Sequence, residues 1–460
     1  MAALSAAAYE QTRRRHVAYM QRLMPEYVLR LGWSRAEIDA EQTRGLRALL
    51  RHAATASPWH RERLRGVDVE HLTPEEIGAL PVMTKSDLMA DWDAIVTRPG
   101  CTLEAAERHL AKLTGDAYFL DDLHVIASGG SSGHRGVFVY DWHGWTASWL
   151  GPLRAMVAIR QRLGIPSIGP LATVSAYVAS HSSSALTQTF SDPDQPTVRA
   201  PVTLPLAEIV TILNRAQPQM LHSYPSMLPG LAEEAQLGHL RIDPAVIFCT
   251  SEPVLPEIRA VTETTFGVPL LNVWAASESN GGSFPCAAGS GFHVGEDLNI
   301  IELVDEQGNP VAPAARSARI LVTNLYNQVM PIVRYEITDE FQIDAGPCPC
   351  GSAYLKVADV EGRNDELFQY AGGVRIHPLN FRSLLGRELA IVEYQVRQTE
   401  RGADIDVVVR SAVDVDTLGS LLAMRLAQLG VAEPAVTVRR VAGIDRQQTG
   451  KLRRFVPLQR

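Results

Sequence analysis

A loop rich in glycine and hydroxyl side chains is the first feature of the sequence with the composition of a ligand site. It lies within VIASGGSSGHRGVFVYD, residues 125–141, between two runs typical of β-strands. Glycines let backbone N–H groups converge on an anion and serines add donors, so a polyphosphate would fit. A hairpin loop without a ligand is an equally open interpretation, and the segment is not a Walker loop. The residues concerned are Ser128, Gly130, Ser131, Ser132 and Gly133.

Charged side chains recur downstream of this loop in a particular order. Glu278 ends the segment NVWAASE and Asp339 lies in RYEITD. Arg363 follows in GRNDEL and Lys451 in TGKLRR. Taken singly, each has a structural explanation as a helix cap, a strand turn, a surface charge or a cation in a basic tail. Taken together with the loop, two carboxylates and a lysine form a set suited to consuming ATP, because a bound metal and a lysine both neutralise charge that develops on the α-phosphate.

Three cysteines and one histidine form a second candidate site. Cys286 and His293 are seven residues apart, and Cys348 and Cys350 form a Cys-x-Cys turn. Such a set suits a tetrahedral structural zinc, although the spacing is not the common Cys-x₂-Cys. Reduced, unliganded thiols remain the alternative. The other two of the five cysteines, Cys101 and Cys249, are interpreted as small apolar residues.

The surrounding elements predict an α/β fold with several parts. Apolar residues at three- and four-residue spacing predict helices over residues 1–70, and Thr84 and Asp87 have the spacing of a capping box. Alternating strands and helices at about 120–300 indicate βαβ units with a largely parallel sheet. Shorter strands over 298–345, with a Gly-Asn-Pro turn at 308–310, indicate a β-meander. Residues from about 366 to 460 predict a small α+β unit with its own strands and two helical segments.

Length and composition exclude several classes of protein. The chain has 460 residues, of which 46% are hydrophobic and 20% charged, so it is neither disordered nor fibrous. A net charge of −8 disfavours nucleic acid as a partner. No apolar run reaches the roughly 18 residues of a membrane span, and the N-terminal charges stand in the wrong order for a secretory signal. We expect a cytoplasmic protein with free or metal-bound thiols.

In this order the segments resemble the motifs of the adenylate-forming superfamily, which includes acyl- and aryl-CoA synthetases, luciferases and peptide-synthetase adenylation domains. SGGSSG resembles its phosphate loop, WAASE its aromatic-Gly-x-Thr-Glu motif, and RYEITD its Arg-Tyr-Arg-Thr-Gly-Asp motif. GRNDEL resembles the hinge motif and TGKLRR the lysine motif. SPWHRERL, LPVMTKSDL and HSYPSML further resemble segments of the phenylacetate–CoA ligase branch. That branch often carries a Cys, a His and a Cys-x-Cys-Gly turn here, which implies zinc.

The resemblance implies a role for each polar residue around a nucleotide. Glu278 would bind Mg²⁺ and Ser277 would contact the α-phosphate. Asp339 would bind the ribose hydroxyls, assisted by Arg363. The remaining nucleotide contacts would come from the phosphate loop, from the TSEP segment and from the segment after the next strand: Ser128, Gly130, Ser131, Ser132, Gly133, Ser251, Glu252, Pro253, Asn272, Trp274 and Ala275.

The resemblance also implies a domain arrangement and a reaction. A large domain, 1–363, with mixed α/β sheets and a β-meander would bind ATP and acid. A small mobile α+β domain, 364–460, would turn about Asp365 and carry Lys451, which bridges the acid carboxylate and the α-phosphate. The product would be an acyl-adenylate, followed by a thioester with coenzyme A. Trp274 and Glu336 stand where the family has tyrosine and a second arginine, which leaves the acid and the acceptor open.

The acid itself is expected to be small and aromatic. The segment VSAYVASHSSSA, 174–185, is rich in serine and histidine, unlike the lining of an aliphatic tunnel. Candidate contacts are Tyr177, His181, Tyr224, Ala275 and Ala276, although a helix-start or surface position explains His181 equally well. The acceptor could instead be an amine, a carrier protein or a second acid. A non-catalytic nucleotide-binding protein on the same fold is the remaining alternative, and a homodimer is compatible with the resemblance.

Overall fold

The structure is a computed structural model, which describes most of the chain. The described residues are 6–128, 136–162, 164, 170–175, 179–191, 197–202, 204–288, 291–312, 314–344, 346–358, 368–376, 379–385, 388, 390–445 and 452–458. The helices before the first strand are α1 (Ala6–Arg30), α2 (Arg35–Ala56), α3 (Pro58–Arg63), α4 (Lys85–Ala90), α5 (Trp92–Ile95) and α6 (Leu103–Leu110).

Local sequence signals set the boundaries of these helices. Ser34 begins α2 in a capping box: its side chain accepts from the Glu37 N–H, and the Glu37 carboxylate accepts from the Ser34 N–H at 2.8 Å. The box predicted at Thr84 and Asp87 begins α4, with 2.8 Å between Thr84 N and an Asp87 oxygen. Helix α2 ends at Ala56, and its C-cap residue, Ser57, directly precedes a proline. The helical prediction for this region is confirmed.

A hairpin and a long helix follow. Strands β1 (His124–Ala127) and β2 (Val137–Tyr140) pair antiparallel, and α7 (Trp142–Arg162) comes directly after them. Every residue of both strands is buried, because the hairpin lies inside the largest apolar cluster of the molecule. The two runs around the glycine-rich loop are thus strands, as predicted.

The middle of the chain forms a five-stranded parallel sheet. Its elements in chain order are β3 (Leu171–Val174), α8 (Ser182–Phe190), β4 (Val198–Arg199), α9 (Leu206–Ala216), β5 (Met220–Ser223), α10 (Leu228–Gln236), β6 (Val246–Thr250), α11 (Pro256–Phe266) and β7 (Leu270–Val273). The strand order is β4-β3-β5-β6-β7, and each neighbouring pair is parallel. The predicted βαβ units are confirmed.

Apolar residues from the strands and the covering helices give this sheet its own core. Leu221, Ile247 and Leu270 are fully buried in three neighbouring strands and share one cluster with Leu213 and Leu231 of the helices. Burial of each such side chain contributes about 1.5–3 kcal/mol to folding. This core fixes the strand ends against one another, which matters for the site below.

Short antiparallel strands follow the parallel sheet, as the sequence predicts. They are β8 (Ser283–Pro285), β9 (Phe292–Val294), β10 (Asn299–Val304), β11 (Arg319–Asn324), β12 (Tyr335–Ile337) and β13 (Lys356–Val357). One sheet has the order β10-β11-β12 and the other β13-β9-β8. After β10 the Asp305 carboxylate accepts from the N–H groups of Gln307 and Asn309, and Gly308 takes a φ of 86°, so the chain reverses here.

The last part of the chain has a separate apolar cluster. Its elements are β14 (Phe368–Gln369), β15 (Arg375–Ile376), α12 (Leu379–Leu385), β16 (Ile391–Gln398), β17 (Gly402–Val409), α13 (Val415–Gln428), β18 (Ala435–Arg440) and β19 (Phe455–Val456). The predicted strands and two helices are present. The predicted boundary at 363/364 lies outside the described residues and stays a prediction. Across the described part of the chain, no helix combines the length and hydrophobicity needed to cross a membrane.

Candidate active site and cysteine–histidine cluster

The candidate active site lies at the carboxyl edge of the parallel sheet. In the register of β5, β6 and β7, Ser223 is opposite Cys249, and Thr250 is opposite Val273. The three strands therefore end side by side, and the segments that follow each of them leave the sheet together. Ligands of open parallel sheets bind beyond this edge. The segments concerned contain Tyr224, Ser251–Pro253 and Trp274–Glu278.

The segment after β6 contains an unusual backbone and a carboxylate with two long-range contacts. Ser251 has a φ of 75°, a conformation that is uncommon for a residue with a side chain. The next residue, Glu252, accepts hydrogen bonds from two backbone N–H groups. Its Oε2 lies 3.0 Å from Ser226 N, and its Oε1 lies 2.9 Å from Leu452 N. Glu252 thus connects the β6 segment to the segment after β5 and to the residue that follows Lys451.

The segment after β7 brings together two residues predicted to contact the nucleotide. The indole N–H of Trp274 donates to Asp339, with 2.6 Å between Nε1 and Oδ2. Trp274 is 8% exposed and Asp339 only 4%. Ser283 fixes the start of this segment, because its hydroxyl accepts from the Trp274 N–H and donates to the Trp274 carbonyl. The tryptophan that stands in place of the family's tyrosine therefore orients the carboxylate expected to bind ribose.

Glu278, the predicted Mg²⁺ ligand, is held in a buried turn of the same segment. It is 7% exposed, and its backbone carbonyl accepts from the Asn324 side chain at 3.0 Å. The Ser277 carbonyl accepts from the Tyr140 hydroxyl at 2.5 Å. Burial, followed by the Glu278 charge, raises the pKa of Tyr335. Glu278 therefore lies close to the hairpin that carries the glycine-rich loop and to β12.

Glycines allow this turn to pack tightly against its neighbours. A Cβ on Gly282 would lie 2.6 Å from the Trp274 ring, and one on Gly151 of α7 would lie 2.8 Å from Gly281. The Gly281 N–H also donates to the Tyr326 hydroxyl at 3.0 Å. Helix α7 thus lies against the backbone at Gly281, shortly after Glu278. The turn is fixed by α7 on one side and by the Trp274 ring on the other.

The described part of the glycine-rich loop is the base of a hairpin. Ser128 N donates to the Gly136 carbonyl at 2.9 Å, and Gly136 N donates to the Ser128 hydroxyl at 2.8 Å. These bonds close the loop at its two ends. The loop residues Gly130, Ser131, Ser132 and Gly133 lie outside the described residues, as do Tyr177, Arg363, Asp365 and Lys451.

The other predicted contact residues occupy varied positions. His181 is the N-cap residue of α8, and its Nδ1 lies 2.9 Å from the Ser183 hydroxyl. Tyr224 is fully buried among apolar residues, so contact with a bound acid would require its neighbours to move. Asn272 is buried within β7, whereas Ala275 is exposed and Ala276 half-buried at the sheet edge. Their proposed substrate and nucleotide contacts stay predictions.

The cysteine–histidine cluster forms as the sequence predicts. The donor atoms of Cys286, His293, Cys348 and Cys350 all lie within 4.8 Å of one another. The Cys286 and Cys348 sulfurs are 3.4 Å apart, and His293 Nε2 lies 3.2 Å from the Cys350 sulfur. The other ring nitrogen, Nδ1, lies 3.0 Å from the Tyr354 carbonyl, which orients the ring toward the sulfurs. Three sulfurs and one imidazole fit the tetrahedral preference of zinc.

Several residues at the site were missed by sequence reasoning. Tyr140, Ser226, Asn324 and Tyr335 were not among the predicted site residues, although Ser226 and Tyr335 lie within HSYPSML and RYEITD. They nevertheless hold or adjoin the segments of Glu252 and Glu278. Tyr140 and Asn324 are the last residues of β2 and β11. A polar residue at a strand end was therefore the available signal.

Comparisons with known proteins extend the motif resemblance. No model of a known protein family matches the chain. It is 27% identical to the phenylacetate-coenzyme A ligase of Thermus thermophilus over 192 residues, which are 40% of this chain and 42% of that protein. It is 22% identical to the Aromatoleum evansii phenylacetate-coenzyme A ligase over 208 residues, 43% of this chain and 46% of that protein. The aligned segments thus span less than half of these relatives.

Solved structures match over nearly the whole chain. The 2-hydroxyisobutyryl-CoA ligase in the postadenylation state, in complex with R3-HIB-AMP, has a TM-score of 0.70 at 19% identity and covers 93% of this chain and 91% of its own. In the thioesterification state, with 2-HIB-AMP and CoA, it has a TM-score of 0.57 at 18% identity and the same coverages. The chain has the fold of these adenylate-forming CoA ligases, and its sequence resemblance is to their phenylacetate–CoA ligase branch.

Proposed function

We propose that the protein activates a small aromatic carboxylic acid with ATP and transfers the acyl group to coenzyme A. One observation carries this proposal. Glu252, Glu278 and the Trp274–Asp339 pair gather at the carboxyl edge of the parallel sheet, in the chain order of the adenylation motifs. The names of the sequence relatives and the CoA complexes of the structural neighbour support the same chemistry.

In the first half-reaction an oxygen of the acid carboxylate attacks the α-phosphorus of ATP. A phosphorus–oxygen bond forms to the acid, and the bond to pyrophosphate breaks. We propose that Lys451 bridges the two reactants and neutralises the charge that develops on the α-phosphate. Ser277 and the loop residues Ser128, Gly130, Ser131, Ser132 and Gly133 would hold the phosphates. Mg²⁺ on Glu278 would supply further charge neutralisation when bound.

The nucleoside would be held from two sides of the sheet edge. Asp339 has one carboxylate oxygen engaged by Trp274 at 2.6 Å, which helps to orient the group. We propose that it accepts hydrogen bonds from the ribose hydroxyls, with Arg363 assisting. Adenine would lie against Ser251, Pro253, Asn272 and Ala275, of which Ser251, Pro253 and Ala275 have partly or fully exposed surfaces.

In the second half-reaction the coenzyme A thiolate attacks the acyl carbon. A carbon–sulfur bond forms and AMP leaves. The part that carries Lys451, proposed as a domain over 364–460, would turn about Asp365 between the two steps. The acid would lie near Ala275 and Ala276, with Tyr177 and His181 as further contacts, and with Tyr224 once its neighbours move. Its small, aromatic character is inferred from these residues.

We further propose that the cysteine–histidine cluster binds a structural zinc ion. Four protein ligands complete a tetrahedral shell, which leaves no coordination position for a substrate. Burial lowers the pKa of His293, which favours the neutral ring that metal binding requires. The site joins the segment around β8 and β9 to the turn at 348–350.

Use of ATP and coenzyme A together with reduced thiols fits a cytoplasmic protein, and a homodimer remains compatible.

Mass spectrometry of the purified protein tests the activity. The protein is incubated with ATP, Mg²⁺ and a panel of small aromatic acids, with and without coenzyme A. We expect AMP and one acyl-CoA mass, which would also identify the acid. If coenzyme A leaves an acyl-adenylate unchanged, the acceptor is instead an amine, a carrier protein or another acid. Nucleotide binding without AMP or pyrophosphate would overturn the enzymatic proposal.

A further inference from the structure

The Glu252 carboxylate makes a direct contact between the segment after β6 and the segment of the lysine motif. Its two oxygens accept from two backbone N–H groups, one at Ser226 and one at Leu452, at 3.0 and 2.9 Å. Leu452 lies 200 positions after Glu252 in the sequence, so the contact is long-range. Leu452 is 7% exposed, so the contact is shielded from water on that side.

The backbone around Glu252 is fixed on the side of the sheet. Ser251 takes its φ of 75° directly before Glu252, and such a conformation persists only where surrounding structure holds it. His222 on β5 contacts the Thr250 hydroxyl with its Nε2 at 2.9 Å. Burial lowers the pKa of His222 to about 4, so this ring is neutral. The carboxylate is therefore presented from a rigid strand end, whereas its partner at 452 belongs to the segment expected to move.

The two states of one structural neighbour differ in their similarity to this chain. The postadenylation state has a TM-score of 0.70 and the thioesterification state one of 0.57, at nearly equal identity and coverage. The chain as a whole thus overlays better on the first of these two states.

We propose that Glu252 is a positioning residue that holds the Lys451 segment at the active site for adenylation and releases it for thioester formation. It acts through Leu452 N, one residue after the lysine, and through Ser226 it ties the same carboxylate to the segment of the acid pocket. This inference rests on the proposed function. It differs from the adenine contact that the motif resemblance implies for Glu252, because an adenine contact would serve ATP and acyl-adenylate alike.

Separate assays of the two half-reactions test this role in Glu252→Ala and Glu252→Gln. Adenylation is followed by pyrophosphate release, and thioester formation by acyl-CoA production from supplied acyl-adenylate. For Glu252→Ala we expect kcat for adenylation to fall by about 10- to 100-fold, the loss typical of hydrogen bonds to a charged acceptor. Thioester formation and the KM for ATP should change by less than about two-fold. Glu252→Gln retains one acceptor oxygen and should recover part of the adenylation rate.

Glu208→Ala is the matched control, because Glu208 is exposed on α9 and distant in the chain from the motifs. It should leave both half-reactions unchanged. Equal losses in both half-reactions of Glu252→Gln, or a change confined to the KM for ATP, would overturn the positioning role in favour of an adenine contact. An adenylation rate unchanged in both Glu252 variants would also overturn it. Failure of the proposed function would give a different result from failure of the positioning role, because the unmodified protein would then release no pyrophosphate with any acid.

Discussion

The two polar clusters of this molecule are built in opposite ways. In the cysteine–histidine cluster four donor atoms, two of them from one turn, converge within 4.8 Å. At the sheet edge the carboxylates stay on separate segments, and each has a different protein partner: Trp274 for Asp339 and two backbone N–H groups for Glu252. A converging set is completed by one ion, whereas separated groups can bind different parts of one large ligand. The first arrangement suits a structural metal and the second a reaction centre.

At the candidate active site on the carboxyl edge of the parallel sheet, here called the sheet-edge site, removal of the proposed lysine should cause the largest loss of activity. Lys451→Ala is expected to slow pyrophosphate release by about 10³-fold, at the upper end of the loss seen when one group that stabilises transition-state charge is deleted. Thioester formation from supplied acyl-adenylate should change far less. Lys112→Ala, at an exposed lysine, is the matched control. Normal adenylation by Lys451→Ala would show that the motif assignment is wrong.

Neutralising the proposed metal ligand should have the next largest effect. Glu278→Gln keeps the shape of the side chain but removes its charge, so we expect adenylation to fall about 100-fold. The Mg²⁺ concentration for half-maximal rate should rise. Both quantities follow from a pyrophosphate-release assay over a Mg²⁺ titration. Glu75→Gln, at an exposed position, serves as control. An unchanged Mg²⁺ requirement would remove Glu278 from the metal site.

The cysteine–histidine cluster should respond in stability rather than in chemistry. Cys348→Ser is expected to lose bound zinc and to lower Tm by about 5–10 °C, the shift produced by a few kcal/mol in a domain of this size. The kcat of the folded fraction should stay within about two-fold. Metal analysis and thermal unfolding measure the first two effects. Pro349→Ala changes the same turn without removing a ligand and should retain metal; metal-free wild-type protein with the same Tm would contradict the zinc proposal.

The smallest expected effect concerns the orientation of Asp339. Trp274→Phe keeps an aromatic ring but removes the indole N–H that donates to Asp339. We expect the KM for ATP to rise about 3- to 10-fold with kcat little changed, because one hydrogen bond to a carboxylate is lost. Steady-state kinetics with varied ATP measures this. A fall in kcat with unchanged KM would mean that Trp274 acts on the chemical step rather than on nucleotide binding.

Sequence periodicity was sufficient to predict much of the fold. Alternating apolar runs and helices predicted the parallel sheet, and the capping box at Thr84 and Asp87 placed the start of α4. These signals are local, since each depends on residues within one or two turns of each other. The cysteine–histidine cluster was also predicted, because cysteine and histidine are informative residue types even when Cys286 and Cys348 are 62 positions apart.

The partners of the site residues could not be predicted in the same way. The contacts of Glu252 with Ser226 and Leu452 join backbone N–H groups, which every residue except proline has and which leave no mark in a sequence. The Trp274–Asp339 bond joins two motifs whose proximity depends on how the meander returns to the parallel sheet. Such pairings follow from tertiary packing rather than from local pattern.

Acid-dependent exchange of labelled pyrophosphate into ATP, without coenzyme A, tests the central claim most directly. Exchange requires a reversible attack of the acid on the α-phosphorus at the sheet-edge site and is independent of the later acceptor. We predict exchange with one or a few small aromatic acids, abolished in Lys451→Ala and retained in Lys112→Ala. Absence of exchange with every acid, in protein shown to bind ATP, would contradict the account.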